Sequence, residues 1–154
     1  MKAAFVTGIE KVEIKEIDKT VISDTEVLIK TKTVGVCGSD LHLFRGTHPF
    51  RHAPAILGHE IAGDVVEIGS KVTNIKVGDR VTVEPQVGCG ECEMCKRGLV
   101  SLCSGKKVPG TPEWIGAFSE YFNADEKTVY KLADQTSYEM GTLAEPLAVA
   151  VHTV

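Results

Sequence analysis

The stretch GHEIAGDVVEIGSKV, residues 58–72, places a His–Glu pair directly before a run of Val and Ile that ends at a glycine. Such runs have the composition of β-strands, and glycine favours the turns between them. Six further runs share this character: KAAFV (2–6), KVEIKEI (11–17), EVLIKTKTVGV (26–36), RVTVEP (80–85), GAFSEYF (116–122) and TVYKL (128–132). Several short strands at this spacing predict a mainly β fold, either a barrel or a sandwich.

Three short helices are predicted beside these strands. The first lies near SDLHLFRG (39–46), with Ser39 or Asp40 as its N-cap, and the second runs from Ser137 to Leu143. The third is EPLAVAVHTV (145–154), in which Pro146 fits the first turn. This third helix is apolar over most of its surface, so we expect it to pack against another surface.

Composition limits the class of protein. The chain has 154 residues, of which 43% are hydrophobic and 25% charged, as in an ordinary globular domain. Its net charge of −4 argues against a nucleic-acid partner. No apolar run has the length of a membrane span, and the N-terminal segment lacks the apolar core of a signal peptide. We therefore expect a cytoplasmic protein with no membrane partner, whose thiols stay reduced.

Four of the five cysteines lie within fifteen residues, CGECEMCKRGLVSLC, residues 89–103. Four thiolates match the tetrahedral preference of zinc, and a site with four protein ligands has no open position, so it is structural. Two disulfides, four buried free thiols and an iron–sulfur cluster are the alternatives. The predicted structural-zinc ligands are Cys89, Cys92, Cys95 and Cys103.

A second group of metal-binding residue types is dispersed along the chain. Cys37 lies in GVCGSDLH, His59 and Glu60 are adjacent, and Glu145 lies far downstream in LAEPLAV. Three protein ligands and a water molecule are typical of catalytic zinc. Each residue has an ordinary alternative: a lone cysteine is often a small buried hydrophobe, and a glutamate before proline favours the positive end of a helix.

These segments together resemble the zinc-containing medium-chain alcohol dehydrogenases. The resemblance rests on GHEIAGDVVEIGSKV, GVCGSDLH, the four-cysteine segment, GAFSEY and EPLAVAVH, and it extends over residues 1–154. It implies a GroES-like catalytic domain, which is a bent β-barrel with short helices and a structural-zinc lobe at about residues 86–106.

The resemblance also implies roles for single residues. Cys37 and His59 would hold the catalytic zinc, and Glu60 would be an adjacent carboxylate that binds the metal in some states. Glu145 stands where much of the family has a third ligand, and it would help to hold water or substrate at the metal. Asp40 would hydrogen-bond the far nitrogen of His59 and fix its tautomer.

Ser39 and His42 would form a proton relay. The resemblance implies that Ser39 accepts the proton of the alcohol and that His42 passes it to solvent, while hydride goes to a nicotinamide cofactor. Two zinc ions per chain are expected, one catalytic and one structural.

The chain contains no G-x-G-x-x-G motif, so we expect NAD or NADP to bind a Rossmann domain that is absent from these 154 residues. The 154 residues would then be the catalytic half of an enzyme and would be inactive alone. A separately expressed domain, a truncated or split gene product and a natural free domain are the three explanations. Homo-oligomers are expected for the full-length form.

The stretches VEPQVGCGECEMCKRG (83–98) and LAEPLAVAVH (143–152) resemble the sorbitol and polyol branch, which implies a polyol or sugar alcohol as substrate, and Glu145 in place of Cys disfavours the simple-alcohol enzymes. Butanediol and L-threonine 3-dehydrogenases are close alternatives, and a zinc-stabilised binding module without redox activity is an alternative of another class. A zinc hydrolase is disfavoured because no H-E-x-x-H is present. Phe44, Arg45 and His48 are candidate pocket residues. Arg45 would contact a phosphate if the substrate carries one, but a solvated charge on a loop is the favoured interpretation of this arginine.

Overall fold

The computed structural model describes residues 1–154 and contains eight β-strands and four short α-helices. The strands are β1 Lys2–Gly8, β2 Lys11–Glu16, β3 Glu26–Val34, β4 Ala55–Ile56, β5 Ile61–Ile68, β6 Arg80–Val83, β7 Tyr121–Asp125 and β8 Val129–Lys131. The helices are α1 Gly38–Phe44, α2 Glu93–Lys96, α3 Tyr138–Thr142 and α4 Ala144–Thr153. No helix is both long and apolar enough to span a membrane.

The strands form two antiparallel sheets. A five-stranded sheet has the order β7-β3-β5-β6-β8, and a three-stranded sheet has the order β2-β1-β4. Pairing between β3 and β5 shifts register between Leu28 and Ile29 and again between Thr31 and Thr33. Such irregularities bend a sheet. The mainly β fold predicted from the sequence is confirmed.

The core lies on the five-stranded sheet, where burial of apolar side chains supplies most of the driving force for folding. Val27 and Ile29 of β3 and Phe122 of β7 are fully buried in it. The Trp114 ring stacks on Phe122 with 5.5 Å between ring centroids, and its indole N–H donates to the Asn123 carbonyl at 2.8 Å. The buried indole therefore keeps a hydrogen-bond partner.

Six of the seven predicted strands occur where the sequence places them, and one is displaced. In GAFSEYF the strand begins only at Tyr121. The residues before it form no regular ladder, because the N–H groups of Gly116, Ala117 and Phe118 donate to carbonyls of residues 56–58. The two-residue strand β4 was not predicted, since a run so short has no detectable alternation.

The three predicted helices are present, but the first begins earlier than expected. Its N-cap is Cys37 rather than Ser39 or Asp40. Asp40 occupies the third helical position, and its carboxylate accepts a hydrogen bond from the Cys37 N–H at 3.0 Å, as in a capping box. Ser137 caps α3 as its position predicts. None of the residues of α4 is buried within this chain, and Leu147, Val149 and Val151 are 58–64% exposed.

Candidate active site and metal centres

The four clustered cysteines occupy a lobe that leaves and re-enters the fold at one point. Val87 and Lys107 pair at its base through two backbone hydrogen bonds of 2.9 and 2.8 Å. Cys92 caps the short helix α2, and Cys103, which follows a single 3-10 turn, is 3% exposed. The lobe thus folds back on itself and brings distant cysteines together.

Their geometry fits one tetrahedral ion. The four sulfur atoms all lie within 4.8 Å of one another, and the Cys89 and Cys95 sulfurs are 3.9 Å apart. Tetrahedral zinc with Zn–S bonds of about 2.3 Å requires sulfur–sulfur distances of about 3.8 Å. All the cysteines are free thiols, so the disulfide alternative does not describe this structure. An iron–sulfur cluster needs more room at the centre than these sulfurs leave.

The lobe also favours thiolate at one of its ligands. Hydrogen bonds from the backbone N–H groups of Cys92 and Glu91, and then from the Cys103 and Cys92 side chains, lower the pKa of Cys89 to about 6. The Gly90 N–H lowers the pKa of Cys95, but burial and the three neighbouring thiols outweigh it and raise that pKa to about 11. The Cys92 N–H lies 3.4 Å from the Cys89 sulfur, and the Cys95 N–H lies at the same distance from the Cys92 sulfur. A thiolate is the form that binds metal.

Cys37, His59 and Glu60 converge although they are far apart in the sequence. A ligand atom from each lies within 4.8 Å of those of the other two. Cys37 sits at the start of α1, and the His–Glu pair lies between β4 and β5. Gly58 has a φ of +90°, which a residue with a side chain rarely adopts, and this turn presents His59 towards Cys37.

Asp40 connects the two segments that carry these residues. Its carboxylate is 6% exposed and accepts hydrogen bonds from the N–H of Cys37 at 3.0 Å and of Gly58 at 3.4 Å. Oδ1 lies 3.8 Å from Nδ1 of His59, which is within ion-pair reach but longer than a hydrogen bond. Asp40 therefore braces the ligand segments mainly through their backbone.

A cleft of about 980 Å³ opens beside this cluster and is lined by Ser39, His59 and Glu145. Glu145 is outside the compact group of three but within electrostatic reach of it. Withdrawal from water raises the pKa of its carboxyl, the nearby His59 opposes the rise, and the charge of Glu60 adds to it. A carboxyl with a raised pKa beside metal ligands is typical of a functional site.

His42 lies one helical turn beyond Ser39 on α1, is exposed, and does not line the cleft. Its Nδ1 is 3.0 Å from the Thr47 hydroxyl, which itself donates to the His42 carbonyl at 3.3 Å. The Thr47 hydroxyl therefore holds the ring at Nδ1, and Nε2 makes no hydrogen bond within the chain. Sequence reasoning missed Thr47, since no motif marks it.

The three candidate pocket residues separate in the structure. His48 lines the cleft, whereas Phe44 packs against the small core of Val6, Leu43 and Leu57. Arg45 is exposed at the C-terminal cap of α1 and does not line the cleft, which agrees with the favoured interpretation of a solvated surface charge and not with a substrate contact. A residue at the end of a short surface helix points its long side chain into solvent more readily than into a pocket.

Comparison with known proteins decides the family. Residues 23–134 match the alcohol dehydrogenase GroES-like domain. The chain belongs to that family. The family predicted from the zinc-site motifs, the zinc-containing medium-chain alcohol dehydrogenases, is therefore confirmed, and both metal-ligand groups lie in or beside the matched region.

Individual relatives agree with this family assignment, since they are dehydrogenases. The chain is 42% identical to sorbitol dehydrogenase of Bacillus subtilis over 99% of its length, and 44% identical to D-arabitol-phosphate dehydrogenase of Enterococcus avium over 86%. The crystal structure of an Escherichia coli dehydrogenase of unknown specificity matches 98% of the chain at 39% identity with a TM-score of 0.92. The chain covers only 44%, 38% and 45% of these proteins.

Gly35 supplies a test of the Glu60 position. A Cβ at Gly35 would overlap Oε2 of Glu60, whereas a Cβ at Gly38 would meet nothing within 4 Å. We expect Gly35→Ala to push the carboxylate aside and to lower metal affinity or activity about 10- to 100-fold with little loss of stability. Gly38→Ala is the matched control. Equal metal content and activity in both variants, measured on the purified native protein, would contradict a role for Glu60 at the metal.

Proposed function

We propose that this chain is the catalytic domain of a zinc-dependent, NAD-linked dehydrogenase that oxidises a secondary alcohol of a polyol or sugar alcohol to a ketone. One observation carries the proposal: a thiol, an imidazole and a carboxylate converge beside a cleft that also contains a hydroxyl and a second carboxyl, those of Ser39 and Glu145. This is a donor set for a catalytic metal next to groups that can move a proton.

Cys37 and His59 would hold the metal, with Glu60 adjacent. Thiolate, imidazole and carboxylate suit zinc, and a zinc ion there would supply Lewis acidity towards the substrate hydroxyl. Asp40 accepts hydrogen bonds from the N–H groups of Cys37 and Gly58, and it thereby holds the two ligand segments at a fixed separation. Glu145, whose pKa is raised by burial, can exchange a proton at the cleft wall or hold a neighbouring hydroxyl.

Ser39 would accept the hydroxyl proton of the substrate, and His42 would pass it to solvent. The Thr47 hydroxyl contacts Nδ1 of His42 at 3.0 Å, which leaves Nε2 available for this transfer. The reaction balances when the hydroxyl proton leaves by this route and the carbon hydride goes to NAD, giving a ketone, NADH and a proton.

The proposal extends to the metal content, the cofactor site, the compartment and the oligomeric state of the enzyme. The proposal requires two zinc ions per chain, a nicotinamide site outside these 154 residues, and a reducing compartment such as the cytoplasm. It also includes the expected homo-oligomer. Butanediol and L-threonine remain alternative substrates of the same chemistry.

The proposal is tested with the native protein that contains this chain, purified with its metals. We expect it to reduce NAD with sorbitol, xylitol or a related polyol, and Ser39→Ala to lower kcat about 100-fold or more because the proton acceptor is lost. NADH formation is followed by absorbance, and zinc is counted by mass spectrometry. Absence of NAD reduction with every alcohol tested, in a protein holding both metals, would overturn it.

A further inference from the structure

Arg80, the first residue of β6, has contacts that the proposed reaction does not use. One guanidinium nitrogen, Nη1, donates to the Asp134 carbonyl at 3.1 Å, and Nη2 donates to the Thr136 carbonyl. The guanidinium carbon lies 4.5 Å from the centre of the Tyr138 ring. Arg80 forms no ion pair. Its side chain therefore binds the segment that leads into α3 rather than a carboxylate.

Tyr138, the first residue of α3, has a second attachment to the large sheet. Its hydroxyl donates to Oδ1 of Asp64 on β5, and Oδ2 of Asp64 lies 3.2 Å from Nζ of Lys32 on β3. Burial raises the pKa of Asp64, but the Tyr138 hydroxyl and the positive charges of Lys32 and Arg80 outweigh it and lower that pKa. The carboxylate is therefore ionised at neutral pH and accepts a charge-assisted bond from the hydroxyl. Side chains from β3, β5 and β6 thus hold the start of α3.

The other end of α3 is also attached to the sheet. Oγ1 of the buried Thr142 lies 2.9 Å from the Tyr138 carbonyl and 3.4 Å from the Thr33 carbonyl on β3. A Cβ at Gly141 would lie 2.6 Å from Cδ1 of Leu132, so the helix backbone approaches the residue that follows β8 closely. α3 has five residues and is about 7 Å long, and a helix this short would pivot if only one end were held.

Helix α4 continues from α3 without a loop. Leu143 is both the C-cap of α3 and the N-cap of α4, and its carbonyl accepts a hydrogen bond from the Leu147 N–H at 3.1 Å. No residue of α4 is buried within these 154 residues, and α3 is the helix or strand that α4 contacts most. A movement of α3 would therefore be passed directly to the first turn of α4.

That first turn carries Glu145, which lines the cleft together with Ser39 and His59. Neither Arg80 nor Tyr138 lines the cleft. The two residues therefore have no direct access to a substrate, and the only route by which they reach the proposed reaction is the position of α3 and of the glutamate that follows it.

We propose that Arg80 is a positioning residue, which together with Tyr138 fixes α3 on the sheet and thereby places Glu145 at the cleft. The planar guanidinium suits this role because it binds two carbonyls and stacks on a ring at the same time, which a lysine cannot do. This inference rests on the proposed dehydrogenase function for its effect on turnover, and it adds the residues that orient one side of the site.

The test is a double-mutant cycle in the native, metal-loaded protein, with NAD and sorbitol or whichever tested polyol is oxidised fastest. We expect Arg80→Lys to lower kcat/KM for the polyol about 10- to 100-fold, since a misplacement of about 1 Å has an effect of this size. The KM for NAD should stay within about twofold. In a Glu145→Gln background, the same change should alter kcat/KM less than about threefold, because the group that Arg80 positions is already lost.

Two matched controls accompany the cycle. Tyr138→Phe keeps the ring and loses the bond to Asp64, so we expect a smaller loss in the same direction. Tyr121→Phe removes a hydroxyl from another tyrosine beside a lysine, and Arg45→Lys alters an exposed arginine. Neither Tyr121 nor Arg45 lines the cleft, and both control variants should keep the kinetic constants of the native protein.

Hydrogen exchange measured by mass spectrometry gives a result that does not depend on turnover. Arg80→Lys should speed the exchange of backbone N–H groups in residues 139–148 about tenfold and leave β3 and β5 unchanged, because only the attachment of the helix is weakened. Unchanged exchange in residues 139–148 would overturn the proposal.

The kinetic results separate positioning from a purely structural role. Faster exchange without a loss of kcat/KM, or equal losses with and without Glu145, would limit Arg80 to stability and overturn its positioning role. If Glu145→Gln has no measurable turnover, the exchange and the losses in the single variants decide. If the native protein oxidises no alcohol, the proposed function fails, whereas exchange still decides whether Arg80 holds the helix of Glu145.

Discussion

Replacing Cys37 with alanine is expected to remove one of two zinc ions and to lower kcat/KM about 1000-fold or more, while the fold survives. The expected loss follows from the several kcal/mol that a metal contributes to a transition state, at about 1.4 kcal/mol per factor of ten. The fold should survive because the bond from Asp40 goes to the Cys37 backbone N–H, which alanine retains. Zinc content by mass spectrometry, NAD reduction and thermal melting are the measurements.

Val36→Ala is the neighbouring control for that variant. Val36 is 63% exposed and belongs to neither ligand group, so we expect two zinc ions and unchanged turnover. Two results would contradict the division into a catalytic and a structural site. One is unfolding of Cys37→Ala during purification, and the other is full zinc content with full activity.

Cys103→Ala is expected to lower the free energy of unfolding, whereas Cys37→Ala is expected to lower turnover. Cys103 is the buried member of the four-cysteine group, and its loss leaves three ligands and a cavity inside the lobe. Structural zinc contributes folding free energy directly, and we expect about 3 kcal/mol or more of destabilisation. For a domain of this size that is a fall in Tm of about 6–12 °C, measured by calorimetry beside zinc content.

Ser104→Ala, at the exposed neighbouring position, is the control and should retain both metals and its Tm. Lobe opening in Cys103→Ala would be accompanied by weaker zinc retention under a chelator. A Cys103→Ala protein with unchanged zinc content and unchanged melting would show that the lobe is held by contacts other than the metal.

The sequence predicts the fold and the four-cysteine group because their signals are local or strongly patterned. Alternating Val, Ile and Thr mark the strands, and the 3-3-8 spacing of the cysteines marks the lobe. Cys37, His59 and Glu60 are far apart in the sequence, and only the resemblance to a family brought them together before the structure did. The structure places their ligand atoms within 4.8 Å.

Other features could not be predicted, because they depend on contacts without a sequence pattern. The ladder of β7 begins late since Gly116–Phe118 donate to the residues around β4, an interaction across sixty positions. The contact between His42 Nδ1 and the Thr47 hydroxyl could not be predicted, because Thr47 lies beyond the end of α1. Arg51 rather than Arg45 lines the cleft, and its guanidinium donates to the Pro109 carbonyl at 3.0 Å, a contact 58 positions away in the sequence.

The brace that Asp40 provides has a consequence for the lifetimes of the two metals. Its carboxylate accepts hydrogen bonds from the backbone N–H groups of Cys37 and Gly58 without any need for an ion. The proposed catalytic site of Cys37, His59 and Glu60 is therefore preorganised, and it opens to a cleft. The lobe is joined at its base by the Val87–Lys107 pair, but no buried carboxylate bridges its ligand segments, and its four thiols would surround an ion on all sides. We expect isotopically labelled zinc to exchange into the proposed catalytic site in the folded protein, whereas exchange in the lobe waits for local opening. The two ions should therefore leave the protein on separate timescales.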